Sequence, residues 1–79
     1  MAYVVIMLDD GTIVCGDSGP HEIEDISKHI SRDDVIMVLT NSWIIDDGSG
    51  ADPVKVVKPM RLQMSRVLSV ELMRRPSSA

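Results

Sequence analysis

Residues able to do chemistry are few in this chain, and their spacing decides what each could do. His21, Asp25 and His29 recur every four residues, so on a helix they would drift slowly round its outer face. Two histidines on one helical face can ligate a metal. Ligands eight residues apart, however, lie about 12 Å apart along the axis, too far for one ion. They read as a solvated polar face with local ion pairs. Cys15, the sole cysteine, falls mid-strand in an apolar run with no base beside it to activate it; a buried, inert thiol is expected. The acid pairs Asp9-Asp10, Asp33-Asp34 and Asp46-Asp47 stand at turns and strand ends, where aspartate bonds to its local backbone. Two such pairs meeting in space could hold a divalent cation, but the turn explanation needs no ion. P-loop, GxGxxG, HExxH and EF-hand patterns are lacking, so neither a metal, a cofactor nor an enzymatic activity is expected.

Charge is the second kind of chemistry. The 79 residues carry a net charge of −4, unevenly spread. Residues 1–52 hold 11 acids against Lys28 and Arg32, whereas residues 53–79 hold Glu71 alone against Lys55, Lys58, Arg61, Arg66, Arg74 and Arg75. The basic segment could attract an anion, or it could dock on the acidic segment within one subunit or head to tail between subunits; docking is the favoured reading. In the anion-binding alternative, Lys55, Lys58, Arg61 and Arg66 line a site between subunits for a nucleotide or oligonucleotide. Guanidinium forks suit phosphate, and Trp43 would stack on the base. Trp43 and Tyr3 are the only aromatics. With the overall acidity, that scarcity argues against general nucleic-acid binding. For Trp43 itself, a place capping the core is favoured over an exposed one.

A chain of this length is one domain, buries only roughly 60% of its unfolded surface, and needs help to be stable. One cysteine excludes an internal disulfide and a cysteine zinc cage, which leaves self-association. No apolar run approaches the ~20 residues of a membrane span, and Tyr3–Leu8 lacks the flanks of a signal peptide. A soluble, cytoplasmic protein is expected, with a domain over 1–73 and a frayed tail over 74–79.

Along the chain, Asp10-Gly11 signals a β-hairpin. A two-residue loop would set Asp9 opposite Thr12, Leu8 opposite Ile13, Met7 opposite Val14 and Ile6 opposite Cys15. Both faces of this hairpin are apolar, so one must meet the core and the other a helix or a partner. Ile23, Ile26 and Ile30 recur at helical spacing behind Pro20, which suits a first helical position; a short amphipathic helix is predicted at about 20–31. Val35–Thr40 is a strand, and Asn41-Ser42 is either a tight turn or a bend in one long strand reaching Asp46. The bend is preferred because Asn-Ser lacks the glycine of tight hairpins. Residues 47–53 form an exposed loop. Met60, Leu62 and Met64 then alternate with Arg61 and Gln63, and Pro59 marks an edge, bulge or bend. One tight or 3₁₀ turn follows, then a last strand with Leu68, Val70 and Leu72 on one face. The six methionines suit either a core or an interface.

This order, and in particular VVIMLDDGTIVCGD and RLQMSRVLSVELM, resembles the Sm-like and SH3-like small barrels, in which a 3₁₀ turn joins the last two strands. The resemblance implies a mainly β (α+β) fold, a five-stranded barrel, whose edge strands pair between subunits to form a ring. The chain departs from it in two ways. Its helix falls between the second and third strands rather than before the first, and the Asp-x-Met-Asn and Arg-Gly elements of the family's uridine-binding loops have no match. Asn41 stands nearest to the first element and Arg61 or Arg66 to the second, neither within the motif, so RNA binding does not carry over. The expectation is a non-enzymatic, self-assembling binding module. Its expected partner is itself, and the candidate residues for a further partner, a protein or a small anion, are Asn41, Trp43, Lys55, Lys58, Arg61 and Arg66.

Overall fold

The computed structural model describes residues 3–19 and 23–73. Six strands, all paired antiparallel, and one short helix make a mainly β domain: β1 (Tyr3–Leu8), β2 (Ile13–Asp17), α1 (Ile23–Ser27), β3 (Ile36–Asp46), β4 (Val54–Val56), β5 (Met60–Gln63) and β6 (Val67–Leu72). The strands run β4-β3-β2-β1-β6 across the sheet, and β5 pairs with the first half of β3. No pairing joins β5 to β6, so the sheet is not closed into a barrel. The sixth strand arises because Val57–Pro59 interrupts the predicted fourth, where proline has no N–H to give the ladder. Residues 74–79, predicted as a tail, lie outside the described residues.

The first hairpin forms where the aspartate–glycine signal puts it, but its register is one residue off the expectation. Ile6 faces Val14, Met7 faces Ile13 and Val5 faces Cys15. The loop has three residues, not two: Gly11 N–H donates to the Leu8 carbonyl at 3.0 Å and Leu8 N–H to that of Thr12 at 2.8 Å. Gly11 has φ +88°, the left-handed residue that follows a type I turn in such loops. The correct register puts Val4, Ile6, Leu8 and Val14 together in the core. Cys15 goes to the other face, buried, with Sγ 3.7 Å from the Tyr3 hydroxyl.

The third strand is one continuous bent strand. Its first half pairs with β5 and its second half with β2 and β4, and the bend falls at Asn41, φ +47°, a conformation asparagine tolerates better than most residues. The Asn41 carbonyl accepts a 3.0 Å hydrogen bond from Tyr3 Oη. Met37 and Leu39 enter the core from one half and Ile44 packs on it from the other. Beneath the bend, the Gly16 backbone approaches so closely that a Cβ there would lie 3.0 Å from those of Leu39 and Ser42.

The helix is shorter than the isoleucine spacing predicts. Pro20, His21 and Glu22 lie outside the described residues. After Ser27 the chain continues as turns, with His29 N–H donating to the Ile26 carbonyl and Arg32 N–H to that of His29. Ser31, at φ +72°, stops it. Ile26 is buried and Ile30 packs against the core, so the apolar stripe does seat the helix. Met64–Arg66 forms a single 3₁₀ turn, as the sequence suggests. The last strand differs only at its start: Val70 and Leu72 share the core-side register as expected, but a bulge between the pairings with Met7 and Leu8 buries Val67 in place of Leu68, which is exposed.

Candidate functional site

The basic residues do not converge on one pocket. Arg66 is committed to the first hairpin. Its Nε donates to Asp9 at 3.2 Å, a terminal guanidinium nitrogen donates to Asp10 at 3.2 Å, and its carbonyl accepts from Asp9 N–H at 2.8 Å. Here the basic segment meets the acidic one within a single subunit. Lys55, Lys58 and Arg61 have no ion-pair partner among the described residues. Arg61 is on the exposed side of β5 opposite Val38, and Lys58 sits in the break between β4 and β5.

Trp43 corrects the expectation of burial. Register places it between Cys15 and Lys55, on the face of the sheet turned away from the core, and it is 37% exposed. Of the six candidates, Trp43 and Lys55 are cross-strand neighbours and Asn41 stands two residues along at the bend. The same outer face carries Val5, Met7 and Ile13, which with Ser69 and Glu71 line a hollow of about 180 Å³.

Hydrogen bonds to the Asp10 carboxylate hold its pKa below the usual value. The Thr12 backbone N–H at 2.9 Å and the Thr12 hydroxyl act most strongly, and the Arg66 charge adds to them. A depressed carboxylate stabilises the fold above its unfolded pKa and loses that contribution as pH falls through its folded value. Stability therefore declines on acidification below about pH 4. Because Thr12 acts most strongly, Arg66→Ala raises the Asp10 pKa only part of the way to its usual value. Carboxyl-carbon NMR titration of both proteins checks this; complete reversion in the variant would make the ion pair dominant. Asp34 is lowered by Arg32, and Asp47 by the Ser49 hydroxyl and N–H.

A cavity of about 450 Å³ is one the sequence did not indicate. It is a slot between α1 and the first half of β3. Asp25, Ile26 and His29 line it from the helix side and Val35 to Val38 from the strand side, together with Met64, Asp17 and Ser18. Asp25 and His29, read from sequence as part of a solvated face with local ion pairs, border this open slot; Asp25 stays exposed beside Lys28, and His21 lies outside the described residues. His29 Nδ1 is shielded from solvent without a hydrogen-bond partner. Among the described residues no group of three or more histidine, cysteine or acidic side chains could hold a metal, and no helix is long and apolar enough to cross a membrane. Comparison with known protein families, curated proteins and solved structures finds no match.

Proposed function

We propose that this chain is a non-enzymatic, cytoplasmic β module that works as a homo-oligomer, its open strand edges joining copies head to tail as the resemblance to Sm-like rings implies. The observation that carries the reading is that, among the described residues, β4, β5 and β6 each pair on one side only. Exposed Leu68 and Leu72 on β6 add apolar surface beside that open edge. Unprotected edges are what monomeric proteins avoid, and a small core gains from covering them. Adding β6 of one copy to β5 of the next brings Glu71 toward a neighbour's unpaired Arg61, giving a heterologous joint that repeats until a ring closes.

Sedimentation velocity tests this. The expected result is an oligomer at tens of micromolar (about the range at which weak protein joints fill) that loosens in high salt and in Arg61→Glu. A monomer at high micromolar concentration, indifferent to salt, would overturn it. The cross-strand pairing of Trp43 with Lys55 supports a second reading, a binder of a nucleotide or similar anion on the outer face. A thermal shift with nucleotides that is lost in Lys55→Ala and Trp43→Ala favours it; no shift with any of them removes it.

A further inference from the structure

We infer that the slot between α1 and the first half of β3 receives an extended, basic peptide segment as an additional strand. The two halves of β3 differ in how their edges are used. Trp43 and Ile44 are flanked on both sides, by β2 and by β4. Ile36–Leu39 pairs only with β5, which lies on the β4 side. On the other side, β2 leaves the sheet at Asp17, its last partner being Thr40, and the chain turns off through Ser18 and Gly19 toward α1. Among the described residues the backbone of Ile36–Leu39 therefore has no strand partner on the β2 side, and the 450 Å³ slot runs along it.

A strand edge facing a helix across an open slot is the arrangement in which one more strand can be added. Main-chain hydrogen bonds then supply affinity, and alternate side chains fill what lies on either side. The volume falls within the range of about 300–1,000 Å³ that encloses small ligands or a few residues. Its walls ask for alternation. Ile26, Met37 and Met64 offer apolar contact, whereas the carboxylates at its margin, Asp17 and Asp25, face it with negative charge. Neither acid is strongly engaged: Asp17 accepts one backbone N–H from Gly19, and Asp25 meets Lys28 only at 4.0 Å in an exposed pair. Among the described residues no lysine or arginine lines the slot, which disfavours an acidic segment. The inference concerns a different edge from the subunit joint proposed above and does not depend on it.

The test uses the whole chain and three synthetic hexapeptides capped at both ends. One alternates lysine and valine, one replaces lysine by glutamate, and one is the lysine peptide with alternate backbone nitrogens methylated. Calorimetry should show binding of the lysine peptide, at least tenfold weaker binding after methylation (roughly the loss of two net hydrogen bonds), and weaker binding of the glutamate peptide. Asp25→Lys should reverse the preference between the lysine and glutamate peptides. Amide shifts on binding should centre on residues 36–40. Equal affinity of the methylated peptide, an unchanged preference in Asp25→Lys, or shifts centred on β4, β5 or β6 would each overturn the assignment. The last of these would place the peptide at the subunit joint instead. Sedimentation of the same samples reports assembly separately.

Discussion

Gly16→Val abolishes folding, and Gly16→Ala costs about 1–3 kcal/mol, the range for forcing extra atoms into a packed site. The reason is space, since this glycine is not in the left-handed region. A Cβ at position 16 would meet Leu39 Cβ and Ser42 Cβ at 3.0 Å and the Thr40 carbonyl at 3.1 Å. None of these is the end of a flexible side chain, so relief requires moving β3 at its bend. A domain of this size has a stability of about 4–12 kcal/mol, and the two methyls valine adds beyond that Cβ exceed what movement can absorb. Circular dichroism of the valine variant and urea unfolding of the alanine variant measure both effects. A valine variant with a wild-type urea midpoint would mean that β2 and β3 do not approach as described.

Leu39→Ala is the other large effect, a loss of about 2–5 kcal/mol. Leu39 has no exposed surface and stands where the two halves of β3 meet, with core contacts from both. The comparison that gives the number meaning is Ile36→Ala on the same strand. Ile36 is 60% exposed, and removing its side chain should change stability by no more than about 0.5 kcal/mol. Urea midpoints for the two variants decide the matter; equal losses would contradict the inward and outward alternation of β3.

These two positions also show where sequence reasoning reached and where it stopped. The bend at Asn41 was legible because a tight hairpin needs a residue pair that Asn-Ser does not supply. The aspartate–glycine hairpin was legible, but its register was not. A two-residue loop and a three-residue loop both want glycine with positive φ, and only the Leu8–Thr12 hydrogen bond separates them. The isoleucine spacing found the buried side of α1 without its end, since α1 gives way after Ser27 to turns that run to Ser31 at positive φ, a change of backbone geometry rather than composition.

The functional residues were harder to place. Arginine and lysine counts identified a basic segment, yet nothing local says that Arg66 is held by Asp9 and Asp10, more than fifty residues earlier. Trp43 looked like a core residue because large apolar side chains usually are. Its place follows from being opposite Cys15, which only the pairing of β2 with β3 fixes. The slot was invisible for the same reason. Its walls come from four separate elements, and its open edge exists because β2 stops short of Ile36–Leu39.

The pairing of β1 with both β2 and β6 bears on how the protein is made. A chain emerging from the ribosome completes the first hairpin early, from neighbouring residues. One side of β1 must then wait for a strand encoded almost the whole length of the domain later. Closing so large a loop belongs to the slow, millisecond-to-second class of β folding. During that interval, an apolar strand with an unsatisfied edge is exposed to whatever else is being synthesised nearby. Arg66, reaching the Asp9–Asp10 turn just before β6 begins, is placed to draw that strand in.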